Sequence, residues 1–306
     1  MVGWLINDYL STIPGTKTFW HDLLEWIPEL SDKTGYDFGI LKEKVEHQFS
    51  LEKPKYVIRN GTFFPWINLQ NVKTISLIQD IYRSGNLRNM QEEVIRKSDC
   101  VVFNSKYTYN EYRHIPCKRS EIISLGVDFD FFTPGNPKID LDIPKNSILF
   151  IGSTTVYPKG FDLLLKTSNA LKVPMVWVLK DNINSSLNRI KIFNRIDHNT
   201  LRDVIRSCSM LICTSKEETQ HLAGIEAAAC NLPIIATNVG IYFENENKGW
   251  GHFAKTEEDF IKAVISLYNS NKQEYNPRKS FLDQGFDKNS CRKKWIKIIN
   301  EVKNYG

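Results

Sequence analysis

Glu218 and Glu226 stand eight positions apart in residues 213–240, CTSKEETQHLAGIEAAACNLPIIATNVG, directly after the apolar run SMLICTS. Ionised carboxylates are pure acceptors, suited to hydroxyl pairs. One could hold a ribose diol and the other a hexose or pentose hydroxyl, while N–H groups at the start of the short helix AGIEAAAC meet an anionic diphosphate between them. The competing reading is that both glutamates merely favour the helix start through its dipole. Ser215 can initiate the loop, and Asn231, tolerant of left-handed geometry, ends the helix together with Pro233.

Such a pair needs a rigid edge to project from. Short apolar runs alternate with helical-period segments along the whole chain, the pattern of α/β units with parallel sheets. Open sheets of this class bind ligands beyond the carboxyl ends of their strands. In the first half the predicted strands are VGWLI, KYVIR, TISLIQ, CVVFN and EIISL, with helices in KTFWHDLLEWI and NMQEEVIRKS. A Pro- and Gly-containing stretch over 133–146, TPGNPKIDLDIPKN, reads as a linker. The second half then supplies SILFIGS, the amphipathic helix FDLLLKTSNAL, and the strands MVWVL, KIFNRI, SMLICTS and PIIATN. A length of 306 residues suits two such domains. The expected limits are 1–140, 141–287, and a C-terminal helix over 288–306 that can pack back on the first domain, its Trp295, Ile296, Ile298, Ile299 and Val302 forming an apolar stripe.

A hydrophobic fraction of 42% with 25% charged residues is that of a globular protein. No window reaches the eighteen apolar residues of a membrane span, and MVGWLINDYL lacks the basic start of a signal peptide, so a cytoplasmic location is expected. The six cysteines are scattered without metal-ligand spacing, which predicts buried free thiols and no metal site. Residues 141–306 hold 23 Lys and Arg against 17 Asp and Glu, whereas residues 1–140 hold 17 against 18. That modest surplus suits one phosphorylated small molecule at least as well as a nucleic-acid duplex. No GxGxxG follows the first strand of either half, which disfavours a dinucleotide-dependent dehydrogenase.

The stretch around Glu218 and Glu226 resembles the E-x7-E signature of retaining glycosyltransferases of family 4, which have the GT-B fold: α/β, two Rossmann-like domains facing each other across a cleft. Other segments resemble the same family in the expected order, all within residues 95–215: IRKSDCVVFNSKYTYNEY, SLGVDFDFFTP, FIGSTTVYPKGFDLLL and IDHNTLRDVIRSCSMLICTS. The resemblance implies Lys159 as the phosphate-contacting lysine, Glu218 beside it in catalysis, and Glu226 as a donor-binding carboxylate. It also implies that backbone groups near Arg195 and Ile196 meet the base, that Thr219, Gln220, His221 and Leu222 lie along the donor, and that Gly15 belongs to a first glycine loop. No metal or cofactor is implied; the nucleotide-sugar, UDP- or GDP-linked, is a substrate. The acceptor hydroxyl would attack the anomeric carbon from the face that the diphosphate leaves.

Three places depart from that pattern. Ser153 stands where the family carries a phosphate-contacting arginine, Thr219-Gln220-His221 where Gly-Phe-Gly is common, and Gln79 before Asp80 where a histidine is usual. Gln79 can still hydrogen-bond a sugar. Lone histidines such as His21 read as packing residues, and for His221 a structural role weighs equally. The acceptor stays open among a glycan, a lipid-linked molecule and a hydroxylated base in modified DNA; Phe63, Phe64 and Trp66 could stack on a base, although buried core aromatics are the favoured reading of that trio. The alternatives are a sugar-nucleotide epimerase and a non-catalytic sugar-nucleotide binder.

Overall fold

The computed structural model describes residues 3–6, 20, 22–32, 47, 50–61, 71–155, 157–181, 188–246 and 248–304. The chain divides into two compact units, Met1–Gly126 with Asn289–Gly306, and Val127–Lys288.

In the first unit six strands, β1 (Gly3–Ile6), β2 (Leu30–Asp32), β3 (Tyr56–Asn60), β4 (Lys73–Ile78), β5 (Cys100–Phe103) and β6 (Ser120–Ile122), pair in the order β2-β1-β3-β4-β5-β6. Every pairing is parallel. The order reverses between β1 and β3, as in a doubly wound sheet. Helix α1 (Gly85–Lys97) follows β4 and α2 (Lys106–Tyr112) follows β5. Ile78, Val101 and Phe103 are buried with Val94, Ile95 and Tyr112 of these helices. The short strand β2 escapes a pattern reading because LSD has no apolar run.

The second unit repeats the scheme with β7 (Ile148–Gly152), β8 (Met175–Leu179), β9 (Ile190–Asn194), β10 (Met210–Cys213), β11 (Ile234–Thr237) and β12 (Gly251–Ala254). Their order, β12-β11-β10-β7-β8-β9, again all parallel, reverses between β7 and β10. The helices are α3 (Phe161–Leu171), α4 (His198–Ser207), α5 (Leu222–Ala229), α6 (Glu257–Asn269) and α7 (Pro277–Asp283). Alternate strand residues face opposite sides. Leu149, Val176, Leu211 and Ile234 pack against Val204 of α4 and Ile225 of α5. Ile148, Phe150, Trp177, Ile212 and Ile235 pack against Leu164 of α3 and Phe260 of α6. A sheet covered on both faces explains why its strands read as unbroken apolar runs.

The proline-containing stretch after residue 133 lies within the second unit, and polar staples hold its start there. Val127 bridges Asp287, with Val127 N–H donating to Phe286 O at 3.1 Å and Lys288 N–H to Val127 O at 2.9 Å. Arg206 Nε donates to Thr133 O at 2.9 Å, and Lys138 N–H to the buried Asp203 carboxylate at 3.1 Å. Arg278 donates to Phe132 O (3.0 Å), Ala229 O (2.6 Å) and Phe129 O (3.1 Å), with its guanidinium 5.3 Å from the Phe129 ring centre.

Helix α8 (Lys288–Asn304) buries Cys291, Trp295, Ile298, Ile299 and Val302, with Ile296 partly exposed. It is tied to the first unit by Glu301, which accepts from Arg119 at 2.6 Å, and by Lys303, which pairs with Glu29. Among the described residues, no helix is long and apolar enough to cross a membrane.

Removing the Arg278 side chain would strand three carbonyl acceptors. Arg278→Ala is expected to lower stability by on the order of 3 kcal/mol, read from urea unfolding. The neighbouring Lys279→Ala, which loses only an exposed pair with Asp283, should cost under about 0.5 kcal/mol. Equal losses in the two variants would refute the staple.

Candidate functional site

The reversal of strand order in the second unit leaves two loops side by side, one after β7 and one after β10, where such sheets accept ligands. The first climbs through a single 3-10 turn, Tyr157–Lys159, into Gly160 and α3. Gly160 takes φ +64°, and a Cβ there would fall 1.8 Å from the carbonyl oxygen of Thr214, so only glycine lets the two backbones meet. Lys216 N–H donates to Pro158 O at 2.6 Å and the Thr214 hydroxyl to Lys159 O at 3.0 Å, closing the seam.

This docking delivers Lys159 to Glu218. The ammonium lies 2.5 Å from Glu218 Oε1, and the Ser215 hydroxyl donates to the same oxygen at 2.9 Å. Burial pushes the Glu218 carboxyl up, but the Lys159 charge and the hydrogen bonds from Lys159 and Ser215 outweigh it and hold the group below the usual carboxylate range. Glu226 differs. It projects from α5, partly buried, with no ion-pair partner among the described residues, and burial alone pushes its carboxyl up to about 7. The site thus holds one carboxylate kept ionised by a cation and one poised near neutrality.

Between them the chain passes Thr219, partly buried, and Gln220, buried, whose carbonyl accepts from Ile241 N–H at 3.2 Å. His221 precedes α5 in a left-handed conformation, and Leu222 opens that helix, packed on the core. The His221 Nδ1 lies 2.8 Å from the hydroxyl of the buried Tyr242. Burial, with the Lys159 charge, pushes the imidazole down to about 4 against the opposing pull of Glu218.

Ser153 does not stand open to a ligand. Its hydroxyl donates to Asp181 at 2.7 Å, Thr154 N–H donates to the same carboxylate at 2.6 Å, and the Thr155 hydroxyl donates to it at 3.1 Å. Hydrogen bonds from Ser153 first, and from Thr154 and Thr155, hold Asp181 at about 2. Sequence reasoning missed Asp181, although an acidic residue two positions past a buried strand, in the run VLKD, is a usable signal. Arg195 is exposed at φ +49°, with its N–H engaged by Leu179 O at 3.0 Å and its Nε by Lys180 O at 3.1 Å. Ile196 beside it packs partly on the core.

In the first unit Gln79 follows β4, 6% exposed, and its Oε1 has no partner among the described residues. Gly15, His21, Phe63, Phe64 and Trp66 lie outside the described residues. All six cysteines are free, four of them buried. Among the described residues, no group of three His, Cys, Asp or Glu side chains could hold a metal ion.

Residues 145–270 match the family described as glycosyl transferases group 1. D-inositol 3-phosphate glycosyltransferase of Mycobacterium sp. (strain KMS) is 25% identical over 177 residues, which is 49% of this chain and 39% of that protein. The matched stretch therefore spans about two fifths of that relative's length. Sucrose-phosphate synthase from Thermosynechococcus elongatus superposes with a TM-score of 0.82 at 13% identity, covering 98% of this chain and 99% of that one. HepE from Anabaena in complex with UDP gives 0.74 at 12% identity, covering 98% and 100%. HepE has also been solved with UDP-glucose. These likenesses show the fold, α/β of the GT-B class with two Rossmann-like units.

Glu226 and His221 give stability opposite pH dependences. With its folded value raised from 4.5 to about 7, Glu226 keeps a proton that the unfolded chain has lost, so its contribution falls as pH rises through that window. His221, depressed from 6.5 to about 4, makes the folded state bind fewer protons, so its contribution rises with pH between those values. Glu226→Gln strips the falling term. Its stability over wild type, in urea titrations from pH 4 to 8, should be near zero at pH 4.5 and grow to a few kcal/mol by pH 7. Parallel profiles would mean that the Glu226 carboxylate is well solvated.

Proposed function

We propose that this chain is a retaining glycosyltransferase that moves a hexosyl or pentosyl group from a UDP- or GDP-sugar to an acceptor hydroxyl. The observation that carries the reading is the meeting of Lys159 and Glu218, from two different loops, at the point where the second sheet reverses its order. A cation and an acceptor placed together suit a diphosphate next to a sugar. The group 1 match over residues 145–270 spans both loops, and the UDP complexes of HepE concern a protein of the same fold.

In this reading Glu226 accepts hydrogen bonds from the ribose diol, and the diol supplies the compensation that the half-buried carboxylate lacks. Glu218 accepts from a hydroxyl of the transferred sugar. Arg195 and Ile196 border the base, and Thr219, Gln220, His221 and Leu222 line the donor. The acceptor oxygen forms its bond to the anomeric carbon while the bond from that carbon to the diphosphate oxygen breaks on the same face, and the acceptor proton passes to the departing phosphate. Charge grows on that phosphate, and Lys159 with N–H groups at the start of α5 stabilises it more strongly at the transition state than before it. Glu218, already paired with Lys159, stays ionised and orients the sugar. No metal or cofactor has a role in this scheme. By the family resemblance alone, Gln79 is read as a group that hydrogen-bonds a sugar. The acceptor classes are a glycan, a lipid-linked molecule and a hydroxylated base in DNA.

The test is release of nucleotide from UDP-glucose and a panel of UDP- and GDP-sugars with a chelator present. Lys159→Ala and Glu218→Ala are expected to lower turnover by about a hundredfold or more while nucleotide affinity changes less. Glu226→Ala is expected to weaken nucleotide binding chiefly. Unchanged steady-state constants in all three variants would overturn the assignment, as would strict dependence of turnover on added divalent ion.

A further inference from the structure

His221 has a backbone that its side chain does not explain. Its φ of 76° and ψ of 69° are left-handed, a conformation costing a non-glycine residue on the order of 1 kcal/mol. The surrounding residues are shaped to keep it there. Tyr242, fully buried and with its ring centre 5.1 Å from that of Trp250, sets its hydroxyl 2.8 Å from His221 Nδ1. Gly224, on the first turn of α5, clears the space: a Cβ there would lie 1.7 Å from the Tyr242 oxygen and 2.7 Å from His221 Nδ1. Gly240, at φ +55°, lets the turn carrying Tyr242 lie against this loop, where a Cβ would stand 2.8 Å from Gln220 O and 3.2 Å from Glu218 Cβ. Two glycines, a strained histidine and a buried tyrosine thus form one fitted unit against the loop that bears Glu218.

A buried tyrosine hydroxyl needs an acceptor. His221 Nδ1 is the partner within reach, so the hydroxyl donates to it and the ring proton belongs on Nε2. The charged groups that act on the ring are Glu218 and Lys159, from the two loops of the site. Burial, with the Lys159 charge, leaves the imidazole neutral against the pull of Glu218. Such a ring is a donor through Nε2, and Glu218 is an acceptor only. A sugar hydroxyl both accepts and donates, and so can satisfy both groups at once.

We propose that Tyr242 is a positioning residue of the donor site, holding His221 as an Nε2–H imidazole that donates to a hydroxyl of the donor sugar and so contributes to the choice of sugar. The inference rests on the donor-site reading above. It assigns Tyr242 and Gly224 a part in recognition, and it gives a reason for a histidine in the segment where the family often carries Gly-Phe-Gly.

The experiment uses the full chain as wild type, Tyr242→Phe and His221→Gly. Calorimetry compares UDP with UDP-glucose, and GDP with a GDP-hexose, while nitrogen NMR of the imidazoles reports tautomer and titration. Wild type should show the Nε2–H form, neutral to below about pH 5. Tyr242→Phe keeps its ring against Trp250 and should leave nucleotide affinity within about twofold, lower nucleotide-sugar affinity relative to nucleotide by about tenfold, and move the His221 titration toward its ordinary value. His221→Gly relieves the left-handed backbone but strands the Tyr242 hydroxyl, so some thermal stability is lost; it should still bind nucleotide and lose the same ratio, which keeps the test open if Tyr242→Phe folds poorly. An Nδ1–H tautomer in wild type, or an unchanged ratio in both variants that bind nucleotide, overturns the proposal alone. Wild type that binds neither nucleotide nor nucleotide-sugar overturns the donor-site reading and this inference with it.

Discussion

The second unit depends on a backbone contact with no room for a side chain. Gly160 and Thr214 approach so closely that a single added carbon would overlap a carbonyl oxygen. Strand β7 ends at Gly152 and strand β10 at Cys213, neighbours in the sheet but far apart in sequence. The loops beyond them could diverge. They are instead stitched by Lys216 N–H on Pro158 O and by Thr214 on Lys159 O, bonds that exist only if the backbones touch. From that seam the side chain of Lys159 has a short path to Glu218. A left-handed glycine at the start of α3 therefore acts on the electrostatics of a carboxylate 58 positions later in the chain.

The two carboxylates illustrate how burial and pairing are told apart. Both lose solvent, which raises the cost of ionising either one. Glu218 recovers it through a lysine and a serine hydroxyl, whereas Glu226 has burial as its sole cause of shift. A half-buried carboxylate without compensation is disfavoured for stability, and natural folds tolerate such groups chiefly where a ligand completes them. That difference is why the carboxylates receive different partners in the proposed mechanism, although the sequence presents them as two similar glutamates flanking one loop.

Much of this architecture was legible from pattern. The strands of the second unit are continuous apolar runs because helices cover both faces of the sheet, and SILFIGS, MVWVL, SMLICTS and PIIATN each fall on one. The pairing of Lys159 with Glu218 was less accessible. Resemblance placed them in one site, but their contact follows from strand order, which no local window contains. The segment after residue 133 reads as a linker because its prolines interrupt periodicity. It is held in the second unit by Arg206 and Asp203 of α4, and the residues just before it by Arg278 of α7, side chains that reach back over 60 or more positions. Tyr242 was invisible for a related reason: GIYFEN carries no chemical signal until the fold brings it to His221.

The exchange at Ser153 has a larger electrostatic consequence than the loss of one cation. Where the resembling family carries an arginine, this loop carries a serine whose hydroxyl is committed to Asp181, together with Thr154 N–H. Successive N–H groups in such a turn would otherwise form a nest for an external anion. Here an internal carboxylate fills that role, and its depressed value near 2 measures how well it is held. Relative to an arginine at that position, the loop lacks a positive charge, and it holds the negative charge of Asp181. A diphosphate near it would be attracted less by this edge than by the Lys159 side. In the proposed reading the donor's negative charge is met by Lys159 and the start of α5. The same reading puts the sugar toward Glu218 and His221, and assigns the Asp181 turn to loop shape rather than phosphate capture.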